Sequence, residues 1–213
     1  MALFSKNDQQ KKDSTQVLED LIEGNKRFCS NTPLNRGSLQ EMGTQASRVG
    51  QHPKAVVLSC MDSRSIPEVV FDQSIGDILT LRIAGNVVNK DILASMEYAI
   101  KHVGVKLIVI MGHTDCGAIK AAEEGLQGDN LSHLISAILP AVKFQRSQSN
   151  PDERKGLLIT DIAIQHVHNM VEQAVEKSSI VRDMVTQKEV SIVGALHDLE
   201  SGDVSFQLPK SLE

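Results

Sequence analysis

The sequence predicts an α/β fold: a mainly parallel central sheet of four strands plus an antiparallel edge strand, flanked by helices, with an N-terminal helical arm. Apolar runs typical of buried strands alternate with amphipathic stretches of helical period along most of the chain. Two runs, at 56–59 and 107–112, end abruptly in reactive side chains, as parallel strands do where they present a site. The last two runs are separated only by a tight turn, so the closing strand is expected to be antiparallel.

The N-terminal arm is predicted to span about residues 1–54. Residues 13–29 start with Asp13 as a candidate helix cap and then place apolar side chains at helical spacing. Cys29 has no partner nearby in the sequence and is interpreted as a packed or surface thiol rather than a ligand. Residues 30–54 are rich in Asn, Gly, Ser and Gln and predict a long loop with at most one helical turn. Loops of this length are usually functional or wrap around a partner.

The core, about residues 55–208, is predicted to alternate strands with helices. Pro67 suits the first turn of a helix, and Gly104 suits a helix end. Residues 1–213 together fit a single domain, since a chain of this length can bury a sizeable core. The strand patterns cover 56–59, 78–83, 107–112, 190–196 and 204–208. The helical patterns cover 66–71, 90–103, 116–124, 131–144 and 161–185.

The composition of the chain indicates which binding partners and which cellular compartment to expect. The formal net charge is -5 and the chain has no block of Lys and Arg, which argues against nucleic-acid binding and against a basic membrane patch. Three cysteines, an odd number in a chain this long, do not suggest a disulfide framework and favour a reducing compartment. The first residues lack a charged start followed by an apolar stretch, so we expect a cytoplasmic location. A periplasmic location would follow only if a leader had been removed.

The chemistry is expected where the two strand runs end. Cys60 and Asp62 follow the first run, and His113 and Cys116 follow the second. Thiolate, imidazole and carboxylate are ligands that tetrahedral zinc accepts. A cysteine at the start of a helix has its thiolate favoured by the helix dipole. On spacing alone, two buried cysteines, a capping aspartate and a core histidine remain an alternative interpretation.

Several motifs in order resemble the β-class carbonic anhydrases. The resemblance covers most of residues 15–206, and so many motifs at matching separations are specific. The matching motifs are Cys60-X-Asp62-Ser63-Arg64, Gly76-Asp77, Arg82-X-Ala84-Gly85-Asn86, Gly112-His113-X-X-Cys116-Gly117, and Ile192-Val193-Gly194-Ala195 with Asp198.

The resemblance implies an enzyme, a carbonic anhydrase, that reversibly hydrates carbon dioxide to bicarbonate and a proton by zinc-bound hydroxide. Zinc would be held by Cys60, His113 and Cys116, with Asp62 as a fourth ligand in a closed state. In the open state of the family, Asp62 would instead pair with Arg64, whose planar guanidinium suits a carboxylate. Two thiolates cancel the charge of zinc, so Asp62 is expected to assist by accepting a hydrogen bond from the hydroxide.

The resemblance also assigns a substrate pocket. Gln51 matches a glutamine that donates to substrate, typically across a dimer interface, and Tyr98 matches a pocket-wall tyrosine. Leu79 and Ala84 stand where plant-type members carry phenylalanine and valine, which keeps the wall apolar but less bulky. The backbone N–H of Gly117 is a candidate donor to bicarbonate. The expected partners are therefore carbon dioxide, bicarbonate and further copies of the chain, as a homodimer or a dimer of dimers.

One departure from the family concerns regulation. Some bacterial members carry a tryptophan three positions before the first zinc cysteine, as part of a bicarbonate pocket that stabilises the closed state. Val57 stands there in this chain, which therefore resembles the bacterial members that lack this regulatory site. We expect Asp62 to stay on Arg64 near neutral pH, and activity to follow a single-proton curve.

The remaining histidines show no ligand spacing. They are interpreted as solvated or helix-end residues, with His52 beside Gln51 a candidate proton shuttle. These histidines are His52, His102, His133, His166, His168 and His197.

Two other functions remain open from the sequence. One is a hydrolase of CS2 or COS on the same scaffold, which depends on access to the site. The other is a non-catalytic structural zinc protein, whose four ligands would close the site. Arg64 argues against the second, since a structural site gains nothing from a cation that draws its fourth ligand away.

Overall fold

A five-stranded mixed sheet forms the centre of the computed structural model, which describes residues 5–34, 37–148 and 159–207. The strand order is β2-β1-β3-β4-β5, in which the first three pairings are parallel and the last is antiparallel. This confirms the predicted fold class, including the antiparallel edge strand. The strands are β1 (Ala55–Ser59), β2 (Ile78–Arg82), β3 (Leu107–His113), β4 (Ser191–His197) and β5 (Val204–Gln207).

Helices cover both faces of the sheet. A 3₁₀ turn, Ala84–Asn86, follows β2, and a π turn, Ala99–Val103, extends the helix before β3 and ends at Gly104. In the described ranges the α-helices are α1 (Lys6–Lys11), α2 (Ser14–Cys29), α3 (Leu39–Val49), α4 (Pro67–Val70), α5 (Lys90–Tyr98), α6 (Gly117–Glu124), α7 (Asp129–Gln148), α8 (Ile159–Lys177) and α9 (Ser179–Thr186).

The core lies in two layers, one on each face of the sheet. Along β1, Val56 and Leu58 pack into one apolar cluster, whereas Ala55 and Val57 pack into the other, because successive side chains of a strand point to opposite faces. Every residue of β1 and of β3 is buried, as expected for central parallel strands covered on both sides. Since Ser59 pairs with Met111, the carboxyl ends of β1 and β3 meet at one edge of the sheet.

Two helices of the N-terminal arm were not expected. α1 precedes the predicted first helix and is capped by Ser5, whose side chain accepts from the Asp8 N–H. α3 occupies much of the segment 30–54 that was predicted as a loop, so that prediction is wrong. The polar composition of α3 concealed apolar residues at helical spacing, of which only Met42 is buried.

The predicted helix over 161–185 is two helices. Ser178 adopts an extended conformation between α8 and α9, and its hydroxyl accepts from the Val181 N–H at 3.1 Å. The same hydroxyl donates to the Glu97 carboxylate at 2.6 Å. A serine in this position ends one helix and caps the next, which apolar periodicity alone does not reveal. Leu208, the predicted end of the last strand, lies outside the described residues.

No helix in the described ranges is long and apolar enough to cross a membrane.

Gly24 of α2 packs directly against the backbone of Phe71, and we expect Gly24→Ala to destabilise the protein. A β-carbon at Gly24 would lie 1.9 Å from the carbonyl oxygen of Phe71, a backbone atom that cannot rotate away. Overpacking of this kind costs about 3 kcal/mol. Urea unfolding followed by circular dichroism measures the change in free energy.

Gly43→Ala in α3 is the matched control, because the nearest heavy atom there, Cδ1 of Ile75, lies at 3.7 Å. That variant should be neutral or gain up to about 1 kcal/mol from helix propensity. Equal urea midpoints of unfolding for the Gly24→Ala variant and the unaltered protein would contradict the proposed contact.

Candidate metal centre and active site

Three potential metal ligands converge at the carboxyl edge of the sheet. Cys60 follows β1, His113 is the last residue of β3, and Cys116 caps the N-terminus of α6. All three are buried, and their ligand atoms lie within 4.8 Å of one another. The two sulfur atoms are 4.0 Å apart. The sequence had proposed these three residues, and the parallel pairing of β1 with β3 brings them together.

The imidazole of His113 is held in one tautomer. Its Nδ1 lies 2.8 Å from the Thr114 carbonyl oxygen, which can only accept, so Nδ1 carries the proton and donates. The Nε2 atom is therefore a bare acceptor, and it is buried without a hydrogen-bond partner among the described residues. A buried lone pair turned toward two sulfur atoms is an arrangement that a metal ion satisfies.

The pKa values of the two cysteines shift in opposite directions. The pKa of Cys60 is lowered because Cys116 donates a hydrogen bond to its sulfur, with help from the N–H groups of Asp62 and Gly85. The pKa of Cys116 is raised because its neighbour already holds the charge and because the site is buried. For His113, burial opposes the charged form, but the adjacent Cys60 sulfur raises its pKa overall. A divalent cation would stabilise both thiolates, so this donor set fits zinc.

Asp62 and Arg64 form a bidentate ion pair beside this cluster. Arg64 Nη2 lies 2.8 Å from Asp62 Oδ2, and Arg64 Nε lies 3.0 Å from Asp62 Oδ1. The pair keeps the pKa of Asp62 far below its usual range. Asp62 Oδ2 is also 3.8 Å from Nε2 of His113, so the carboxylate borders the ligand cluster while Arg64 holds it.

Arg82 also holds this loop, which the sequence did not indicate. Arg82 at the end of β2 donates to three carbonyl oxygens: those of Cys60 at 3.1 Å, Asp62 at 2.5 Å and Ser65 at 3.3 Å. In the sequence, Arg82 was recognised only as part of a family motif. Its contacts with the loop after β1 could not be predicted, because they depend on β2 lying next to β1.

A second carboxylate also holds Arg64. Nη1 of Arg64 lies 3.3 Å from Oδ2 of Asp115, and Asp115 in turn pairs with Lys120. Asp115 belongs to the turn between His113 and Cys116, so this contact joins the two loops that supply the cluster.

The predicted pocket residues lie in different surroundings. Gln51 precedes β1 and is exposed, and Gly117 is the exposed first residue of α6. Leu79 and Ala84 are half-buried. Tyr98 is 61% exposed in the single chain, with its ring 5.6 Å from that of His102. Their roles in binding substrate stay predictions.

Two histidines contradict the interpretation as solvated residues. His197 is buried at the end of β4, beside His113, and its Nδ1 hydrogen-bonds the Ser65 hydroxyl at 2.9 Å. His166 is completely buried on α8. Its position between the apolar residues Ala163 and Met170 on one helical face was the available signal. His52 is half-buried beside Gln51, and a role in proton transfer stays a prediction.

The fold and the site define a class of protein: an α/β protein with a buried Cys–His–Cys cluster able to hold a metal at the carboxyl edge of its sheet. The sequence profile of the carbonic anhydrase family matches residues 55–204. Carbonic anhydrase 2 of Mycobacterium tuberculosis is 33% identical, over 85% of this chain and 87% of its own length. The carbonic anhydrase of Mycolicibacterium smegmatis is 31% identical, over 88% and 90%. The chain belongs to the β-carbonic anhydrase family.

Solved structures share the fold. A tetrameric β-carbonic anhydrase of Sordaria macrospora superposes with a TM-score of 0.66 at 22% identity, covering 78% of this chain and 91% of that one. A β-carbonic anhydrase of Aspergillus fumigatus gives a TM-score of 0.67 at 23% identity, covering 81% and 90%.

Proposed function

We propose that the protein catalyses the reversible hydration of carbon dioxide to bicarbonate and a proton, with zinc bound by Cys60, His113 and Cys116. The observation that carries this proposal is the buried Cys–His–Cys cluster with an Arg-held carboxylate at its border, in a chain of the carbonic anhydrase family. Zinc bound there would supply a Lewis acid that makes water a nucleophile near neutral pH.

The residues of the cluster set the charge and the orientation of the donors. Two thiolates and a neutral imidazole balance the charge of a divalent cation, so other groups must assist the reaction. His113 presents Nε2 because its Nδ1 donates to Thr114. The geometry requires no covalent nucleophile.

Asp62 is the group placed to assist. Its carboxylate borders the ligand cluster and stays ionised because Arg64 holds both oxygens. A fixed, ionised carboxylate can accept a hydrogen bond from water at the site and so orient a lone pair toward carbon dioxide. Because Arg64 holds Asp62, three protein ligands would hold a metal and leave a position for water, which favours a catalytic over a structural site.

Stopped-flow hydration of carbon dioxide, followed with a pH indicator and combined with metal analysis, tests this function. We expect one zinc ion per chain and turnover well above the buffer rate. Zinc-loaded protein without hydration would indicate a structural site, and hydrolysis of COS or CS2 in place of hydration would indicate the other enzyme. Either result would contradict the proposed activity.

We expect the active form to be a dimer or a dimer of dimers. A groove of about 660 Å³ is lined by exposed apolar side chains, among them Leu39 of α3, Val69 and Ile75. A second copy that covered this face would bury that surface and also cover Gln51, which lies next to Gly76 in the lining of the groove. The dimer would then bring Gln51 to the pocket for which it is predicted.

Light scattering coupled to size exclusion measures the assembly, and activity measured in the same fractions shows which species works. A catalytically active monomer would contradict this prediction.

A further inference from the structure

His166 is a completely buried histidine outside the ligand cluster. Its Nε2 lies 2.8 Å from the carbonyl oxygen of Gly85, so Nε2 carries the proton and donates. Its Nδ1 is then a bare acceptor, buried without a partner among the described residues. Burial lowers the pKa of His166 to about 4, so the ring is neutral near neutral pH. The hydrogen bond from Nε2 to the Gly85 carbonyl is therefore the polar contact that this ring makes among the described residues.

The acceptor of this hydrogen bond is part of an unusual turn. Gly85 has a φ of 63° and a ψ of 21°, in the left-handed region. A β-carbon there would lie 2.9 Å from Cδ1 of Ile138 and 3.2 Å from Cβ of Ala118, so another residue would push on both side chains as well as strain the backbone. The next residue, Asn86, also has a positive φ of 43°. Backbone in such conformations persists only when its surroundings hold it.

The turn also contacts the ligand cluster. The N–H of Gly85 points at Sγ of Cys60, with nitrogen and sulfur 3.4 Å apart. α8 therefore contacts the far side of the same turn that donates to the ligand. Met170, one helical turn after His166, accepts from the Val88 N–H at 3.2 Å. Two side chains of α8 thus hold the segment 85–88.

We propose that His166 is a positioning residue for the metal centre: by donating to the Gly85 carbonyl, it keeps the Gly85 N–H on the Cys60 sulfur. The proposal assumes the zinc site of the proposed function. An N–H donated to a thiolate withdraws electron density from the sulfur, so the sulfur gives less charge to a bound cation. With two thiolate ligands the charge on zinc is already cancelled, so this withdrawal preserves the Lewis acidity that the reaction needs.

The test compares His166→Phe with His166→Gln. Phenylalanine keeps a planar ring, although a larger one, and cannot donate, whereas the glutamine amide offers an N–H at similar reach. His168→Phe is the matched control, since it makes the same exchange two residues further along α8. His166→Leu, whose side chain is closer in volume to that of histidine than phenylalanine is, replaces the phenylalanine variant in the comparison if that variant does not fold.

The main readout is the metal centre itself. In cobalt-substituted protein, the thiolate-to-cobalt charge-transfer band should move to lower energy in His166→Phe and return in His166→Gln. Zinc affinity, measured by competition with a chelator, should fall by roughly 10- to 100-fold in His166→Phe and recover in His166→Gln, because without the N–H the Cys60 thiolate is less stable relative to its protonated form. The control should leave both unchanged.

Activity provides a second, separate readout. The midpoint of the pH profile of kcat should rise in His166→Phe, with KM unchanged, because a sulfur that donates more charge weakens the Lewis acid. Identical cobalt bands and zinc affinities in all variants would overturn the positioning role, even if the protein hydrates carbon dioxide. A shifted band in a protein that does not hydrate carbon dioxide would support the positioning role and overturn the proposed function.

Discussion

Cys60→Ser and His113→Ala are each expected to lose zinc and the hydration of carbon dioxide together. Each change removes one of three protein ligands in a buried cluster. Structural zinc sites bind with about 10–16 kcal/mol, so one ligand is worth on the order of 4 kcal/mol, or roughly a thousandfold in affinity. Metal analysis after gel filtration, together with stopped-flow hydration, measures both losses in one preparation.

Cys29→Ser is the matched control for the cysteine variant. Cys29 is the exposed last residue of α2 and not a member of the ligand cluster. The Cys29→Ser protein should therefore bind as much zinc as the unaltered protein and show normal turnover. A Cys60→Ser protein that retained one zinc ion per chain and hydrated carbon dioxide at the original rate would show that the cluster is not the metal site.

The ligand cluster could be predicted from the sequence because its geometry is nearly local. Each pair of candidate residues follows a long apolar run, and parallel strands end at the same edge of a sheet. The sequence did not predict that β1 and β3 are neighbours in the sheet, and the structure shows that they pair. Asp62 and Arg64 lie two residues apart, so their ion pair was also accessible to a sequence argument.

The surroundings of the cluster depended on tertiary packing and were not predicted. The reach of Arg82 to the Cys60 carbonyl depends on β2 lying next to β1. The burial of His166 and His197 depends on which face of α8 and which end of β4 meet the sheet. α3 was missed because a polar, glycine-containing segment can form a helix when a single residue, Met42, is anchored in the core.

Arg64→Ala is expected to keep zinc but to lose the hydration of carbon dioxide. This variant therefore separates binding of the metal from catalysis. The three ligands of the cluster remain, so zinc should bind with similar affinity. The carboxylate of Asp62 loses the bidentate partner that now holds both its oxygens. With Asp62 Oδ2 only 3.8 Å from Nε2 of His113, the freed carboxylate can move onto the metal and displace water. We expect turnover to fall by roughly 10- to 100-fold, the scale for loss of an orienting partner in a metal site.

The double variant Asp62→Asn with Arg64→Ala tests the cause of this loss. A neutral amide is a poorer ligand for zinc than a carboxylate, so the double variant should block the metal less while still lacking the oriented acceptor. Its turnover should match that of Asp62→Asn alone, because Arg64 acts through Asp62 and a shared pathway makes the effects non-additive. Arg182→Ala, which removes an exposed guanidinium bonded to the Glu176 carbonyl, controls for the loss of a surface charge. Near-normal turnover in Arg64→Ala would show that the ion pair does not control access of water to the metal.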